Sequence, residues 1–241
     1  MGKILIFGAT GGMGSALAKT LAAAGQKMHL AGRNETELSA LAQQLNSTHS
    51  VFDAKDEASL SAAVNEAAGA EGVLDGLVWA VGSILLKPLG HLSAADFADT
   101  YWLNTIAPAL AIKAAMPALK SAQGSVVLFS SVAATQGFTA HAAIGSAKAG
   151  VEGLTRALAA ELAPHIRVNA IAPSLSMTKM AKPITDHEAM AKGLAQAHPL
   201  GRLGQPDDMV SMAQMMLAKD SWMTGSIVAI DGGRGSLRVK G

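Results

Sequence analysis

The run Gly8-Ala9-Thr10-Gly11-Gly12-Met13-Gly14 carries the clearest chemistry in this chain. Glycines let a backbone turn sharply and approach a ligand closely. When such a turn opens a helix, the first unpaired N–H groups point at an anion with the positive end of the helix dipole behind them. Phosphate is the group this turn suits. Arg33 is the second signal. Where a glycine turn holds a dinucleotide, the tip of the next strand reads the adenosine ribose, a carboxylate taking the 2′-hydroxyl and an arginine the 2′-phosphate. Here the strand ends Leu30-Ala31-Gly32-Arg33-Asn34, with a guanidinium able to fork onto phosphate and no acid at the tip. That favours NADP(H), although Glu35 lies close enough to compete for the arginine.

Other reactive residue types narrow the field. The cysteine count is 0, which excludes disulfides, thiolate metal sites and a thiol nucleophile, and suits a cytoplasmic setting. His187 and His198 show no metal-ligand spacing, so no metal is expected. Lys+Arg 19 against Asp+Glu 18 leave a net charge of +1, and no basic run interleaves with aromatics, which argues against nucleic acid. The longest uncharged apolar stretch, 76–86, is too short to span a bilayer, and the apolar run after Lys3 stops at Phe7. Neither a membrane span nor a secretory signal is expected.

Alternating elements must position these residues. Strands are expected at 4–7, 27–31, 49–52, 73–81, 125–130, 166–171 and 226–230. Helices are expected from Ser15, from an Asn34 cap to about 45, at 57–68, from a Ser93/Asp96 capping box to about 119, at 142–163 and from Pro206. Pro108 and Pro117 should kink or end the fourth of these. Strands alternating with helices imply a parallel sheet covered on both faces, in one α/β domain over 1–241. The segment 174–203 reads as irregular and 235–241 as a loosely packed polar tail.

Taken in order, the motifs resemble the short-chain dehydrogenase/reductase family over almost the whole chain. Gly8, Gly12 and Gly14 match its T-G-x-x-x-G-x-G, with Phe7 where threonine usually stands. Gly82 matches the last residue of N-N-A-G, with Trp79-Ala80-Val81 replacing the rest. The 167–173 run Arg-Val-Asn-Ala-Ile-Ala-Pro, followed by Ser174 for the usual glycine, resembles the sixth-strand signature, and 200–208 and Asp231-Gly232-Gly233 also match. The resemblance implies a doubly wound Rossmann domain with seven parallel strands, assembled as a homotetramer or homodimer through the two long helices. It implies NADP(H) held by Gly8, Thr10, Gly11, Gly12, Met13, Gly14, Arg33, Asp53, Ala54, Gly82, Lys148 and Thr178. Asn104, Ser131 and Lys148 align with catalytic residues acting on a small carbonyl or alcohol, and 174–203 with the substrate loop.

The family's Y-x-x-x-K falls on Ile144 to Lys148, so the tyrosine position holds isoleucine. Residues at i and i+4 share a helix face, so Ile144 should look into the same cleft as Lys148. A hydrocarbon does no proton chemistry, and general acid–base help is worth about 10²–10⁴-fold. The substitutes are His141, one turn earlier; Tyr101, the chain's one tyrosine; and Lys148 itself if burial depresses its pKa. Ser146 should face away. Met177, Met180 and Met190 are either an adaptable substrate pocket or core filling, and Glu152 and Glu161 are expected to be solvated or paired across an interface. Two functions remain open: an NADP(H)-dependent oxidoreductase with an atypical active site, or a catalytically silent NADP(H)-binding sensor or structural subunit.

Overall fold

The computed structural model describes residues 2–238. These form a seven-stranded parallel sheet in the order β3-β2-β1-β4-β5-β6-β7, with β1 Lys3–Phe7, β2 Met28–Gly32, β3 Thr48–Val51, β4 Leu74–Trp79, β5 Ser125–Phe129, β6 Arg167–Pro173 and β7 Ile227–Ile230. Side chains alternate across each strand, and the core divides accordingly. Leu5 and Phe7 face one way with Leu77, Trp79, Val126 and Leu128. They pack against α3 (Glu57–Ala68), α5 (Ala107–Ala122) and α6 (Ala142–Leu162). Ile4 and Ile6 face the other way, with Leu30, Val78 and Val127 against α1 (Gly12–Ala23), α2 (Glu35–Gln44) and α9 (Val210–Leu217). Sheets buried on both faces read as continuous apolar runs, which is why 4–7 and 77–79 were legible.

Three of these helices start on a side-chain cap, two of them, at Asn34 and Ser93, as expected. Asn34 Oδ1 accepts from the Glu37 N–H (3.1 Å), Asp56 Oδ1 from Ala58, and Ser93 forms a full capping box with Asp96 at the start of α4 (Ala94–Tyr101). The long helix after it departs from expectation. It breaks neither at Pro108, which sits in the first turn of α5, nor at Pro117, which α5 absorbs. It widens instead into one π turn at Trp102–Ile106. Such a bulge frees carbonyls from the helical ladder, and Asn104 fills the gap with Nδ2 donating to the Thr100 carbonyl (2.9 Å).

Two sequence departures meet in the core. The Phe7 ring lies 4.8 Å from Phe52 and 5.0 Å from Trp79. Two of this aromatic trio, Phe7 and Trp79, thus occupy the positions where the family pattern carries the polar Thr and Asn, and Phe52 packs against them. At the sheet edge, Ser50 gives its hydrogen to Glu66, so the neutral His29 ring must donate from Nε2 to Ser50 (2.6 Å) and accept at Nδ1 from Thr48 (2.9 Å).

The signature residues on β6 are structural. Arg167 forks onto the Met216 and Ala218 carbonyls (2.7 and 2.8 Å) at the end of α9, and Asn169 accepts from Ser226 N–H and donates to Met223 O at the entry to β7. The expected loose tail lies partly outside the described residues, at 239–241. Its earlier part is tied down, with Gly235 N–H bonded to Asp231 (2.8 Å) and the Gly235 carbonyl to Gln136 Nε2 (2.7 Å).

Candidate functional site

The sheet order reverses between β1 and β4, and in open parallel sheets the ligand crevice forms at that point, beyond the strands' carboxyl ends. The glycine turn leaves β1 there. Gly8 adopts φ +80°, and a Cβ on it would stand 2.8 Å from the Ala80 carbonyl carbon of the neighbouring loop. A Cβ on Gly14 would collide with the Gly8 carbonyl oxygen. Backbone alone fits. The turn feeds α1, whose N-cap is Gly11, with no side-chain cap and no acid in the first turn. The contrast with α2, α3 and α4, each capped by its own Asn, Asp or Ser, leaves the N–H groups of α1 open to an anion. A pyrophosphate fits this cradle.

A cleft of about 470 Å³ opens beside it, lined by Gly11, Gly12 and Met13, then Gly82, Ser131, His141, Ile144, Lys148 and Thr178. Those nine expected residues are brought together. Ser131 lies two residues past β5 and caps a short 3₁₀ turn at Val132–Ala134, where its Oγ accepts from Ala133 N–H (3.1 Å). Lys148 and Ile144 lie one turn apart on α6, both buried. Burial pushes the Lys148 ammonium down to about 8, and its Nζ donates to the Phe129 carbonyl (2.7 Å). Asn104 lies behind the cleft wall: a Cβ on Gly82 would be 3.2 Å from Asn104 Oδ1 and 3.7 Å from Lys148 Nζ. That glycine lets both polar groups approach. Asn104 Oδ1 is buried and has no partner among the described residues, so one acceptor is left pointing beside the lysine.

Arg33, Asp53 and Ala54 do not line the enclosed cleft. Arg33 stands exposed beyond β2, next to the glycine turn, whose Gly8 N–H bonds the Ala31 carbonyl (2.8 Å). Thr10 also faces this side, with its Oγ1 3.6 Å from where a Gly32 Cβ would sit. Glu35 does not compete for Arg33: its carboxylate meets His49 Nε2 at 3.2 Å, and Arg33 has no ion pair among the described residues. Asp53 Oδ1 accepts from the Lys55 N–H (2.9 Å), and the Ala54 carbonyl is taken by Trp102 Nε1 (2.8 Å).

The other expectations divide. His141 donates from Nδ1 to the Thr139 carbonyl (2.8 Å) and reaches the cleft. Tyr101 does not; its ring packs towards Gly150 on α6. Ser146 bonds back to its own helix at Ala142 O (2.6 Å). Of the three loop methionines, Met180 lines the cleft and Met177 and Met190 do not. Glu152 is not solvated: it is buried and accepts from Ser130 Oγ (3.1 Å), because α6 turns that position towards β5; Glu161 is exposed.

Several residues were not singled out for the parts they play here. Ser174 Oγ and His198 Nε2 are 2.8 Å apart, while His198 Nδ1 faces the Leu194 carbonyl (2.8 Å), so the loop is pinned to the end of β6. The Arg234 guanidinium carbon lies over the Phe138 ring, 5.5 Å from its centroid, and both residues line the cleft. The arginine follows Asp231-Gly232-Gly233, and only the distance of that turn from the glycine loop in sequence hid it. Among the described residues no cluster of three or more metal-ligating side chains occurs, and no helix is long and apolar enough to cross a membrane.

A family model described as enoyl-(acyl carrier protein) reductase matches residues 8–234. The trans-4-hydroxycyclohexanecarboxylate dehydrogenase of Sinomonas cyclohexanicum is 35% identical over 243 residues, covering 95% of this chain and 91% of that protein. A short-chain type dehydrogenase/reductase from Mycobacterium ulcerans shares the fold with a TM-score of 0.91 at 28% identity, over 97% of this chain and 90% of that one. The structure described as ElxO with NADP bound gives 0.90 at 26%, over 98% and 100%. A glycine cradle at the sheet's reversal point, a serine just past β5 and a lysine on α6 facing one cleft, matched along nearly the whole length, place this chain in the short-chain dehydrogenase/reductase family.

Proposed function

We propose that the chain is an NADP(H)-dependent oxidoreductase for a small carbonyl or alcohol, in which Lys148 takes the proton-donating part that a tyrosine would play. The observation that carries it is one cleft shared by the uncapped end of α1, Ser131 and a buried Lys148 held to about 8. The relatives' activities agree: the Sinomonas protein is named as a dehydrogenase of a hydroxylated ring, and ElxO holds NADP.

In this reading the pyrophosphate lies on the N–H groups of Gly12 and Met13, while the Gly11 N–H closes the turn onto the Gly8 carbonyl (2.9 Å); Arg33 takes the 2′-phosphate, Asp53 and Ala54 flank the adenine, and Lys148, Gly82 and Thr178 face the nicotinamide end. When bound, the nicotinamide supplies or accepts the hydride. Ser131 Oγ donates a hydrogen bond to the substrate oxygen and holds the carbonyl in place. As negative charge grows on that oxygen, the Lys148 ammonium transfers its proton to it. Ile144 has a part despite its inertness, since its hydrocarbon keeps water from the lysine and so keeps the ammonium acidic. The Phe129 carbonyl orients Nζ from behind.

The test is NADPH oxidation against a panel of aldehydes and cyclic ketones, with NADPH and NADH titrated in parallel. Turnover is expected in the wild type, with a loss of about 100-fold in Lys148→Met. NADPH should bind at least about tenfold more tightly than NADH, with Arg33→Ala erasing the difference. An inactive wild type that gains reductase activity as Ile144→Tyr would replace this reading with a silent cofactor-binding protein.

A further inference from the structure

The cleft is not neutral. Its ionisable lining consists of Lys148, Lys179, Arg234, His141 and His198, and no Asp or Glu lines it. Two of the three cations have engagements: Lys179 Nζ lies 3.2 Å from Glu37 Oε1, and Lys148 Nζ bonds the Phe129 carbonyl. Arg234 differs. It has no ion pair among the described residues, and its one side-chain bond there runs from Nη1 to the Ala197 carbonyl (3.2 Å). The nearest acid in sequence, Asp231, is committed elsewhere, with one oxygen on the Gly233 N–H and the other on the Gly235 N–H (both 2.8 Å). Those two bonds fix the backbone on either side of Arg234, and the Phe138 ring lies 5.5 Å from its guanidinium carbon. Stacking holds the plane of a guanidinium while its edge donors remain available.

Position decides what this cation serves. Arg234 follows β7, and β7 lies four strands from β1 in the sheet, a separation of about 19 Å at ordinary strand spacing. An arginine side chain does not bridge that distance to the glycine cradle, so Arg234 is not a ligand of the cofactor phosphates. The strand it follows lies two strands beyond β5, which Ser131 follows, a spacing of about 10 Å between those strands. The same cleft is also lined by the apolar Val132, Ile144, Ile184 and Leu194.

We infer that Arg234 is the anchor for a carboxylate on the substrate, and that the natural substrate is a compact apolar acid whose alcohol or carbonyl lies several carbons from its carboxylate. This rests on the oxidoreductase reading above for its reacting end, while the anion site itself does not. A cleft whose charges are all positive favours an anionic substrate throughout, and a guanidinium fork in its lining orients it.

The experiment separates the two. Cyclohexanecarboxylate and the isosteric cyclohexanecarboxamide are titrated calorimetrically into the NADP-loaded protein and its Arg234→Gln and Arg234→Lys variants, and 4-oxocyclohexanecarboxylate is compared with its methyl ester as a substrate. The acid is expected to bind the wild type at least about tenfold more tightly than the amide, as charge-assisted bonds require. Arg234→Gln should bring the two within twofold, and Arg234→Lys should keep part of the preference. NADPH affinity and melting temperature check that the variants fold; if they do not, the wild-type acid-to-amide ratio still decides. Equal binding of acid and amide, no binding of either, or a preference that survives in Arg234→Gln would overturn the inference. Tight binding of the acid without turnover of the oxo acid would support the anion site and count against the oxidoreductase reading alone.

Discussion

Lys148 concentrates the chemistry at the residue scale, because the proposed function asks one buried ammonium both to face the nicotinamide end of the cofactor and to give up a proton. An ordinary lysine near 10.5 is a poor acid at neutral pH; desolvation brings this one to about 8. Below about pH 8 the group is charged and able to donate, and above it the acid is lost. In the direction of carbonyl reduction, kcat/KM should therefore be flat up to about pH 8 and then fall by about tenfold per pH unit. A steady-state pH profile checks this, with NADPH binding measured separately so that a lost cofactor contact is not mistaken for a lost acid. Ile144→Asp should move the falling limb upward, because a neighbouring carboxylate favours the ammonium. His141 is less suited. Its Nδ1 is committed to the Thr139 carbonyl (2.8 Å).

Elements show where compensation was needed. Phe7 and Trp79 sit on neighbouring strands, paired in register across β1 and β4, and Phe52 closes over them from beyond β3. Each departure from the family pattern looked separate in sequence, yet they fill one volume. The π turn at Trp102–Ile106 is a second case: the break expected at the two prolines does not occur, and nothing local in the sequence foretold that Asn104 would reward a widened turn. The edge pair β2–β3 carries its own titration. Burial, helped by Lys3, holds the folded His29 ring to about 4, below the 6.5 of the unfolded chain. The unfolded state therefore takes up the proton first. This contribution is complete above pH 6.5 and is lost as pH falls from 6.5 to 4, by an amount on the order of 3 kcal/mol. Urea midpoints across that range should fall in the wild type and fall less in His29→Asn, whose baseline stability will be lower.

For the whole molecule, what was legible followed from what repeats. Continuous apolar strands, capped helices and the glycine turn are local patterns, so the sheet and the cradle could be read directly. Arg234, the Ser174–His198 pair and the burial of Glu152 depend on chain segments far apart in sequence, and no spacing rule connects them. Assembly belongs to this scale as well. β7 is an edge strand, and Leu200, Met215 and Trp222 are exposed large apolar residues in the segments around it. An open parallel edge flanked by apolar side chains favours association. Light scattering is expected to give a multiple of 24.5 kDa, shifted towards the monomer in Trp222→Arg. The same indole makes the chain its own optical reporter. Trp79 emits from a dry interior, Trp102 from a half-buried hydrogen-bonded site and Trp222 from water. Aqueous iodide should quench Trp222 first, and any surface that comes to cover it will shield its light.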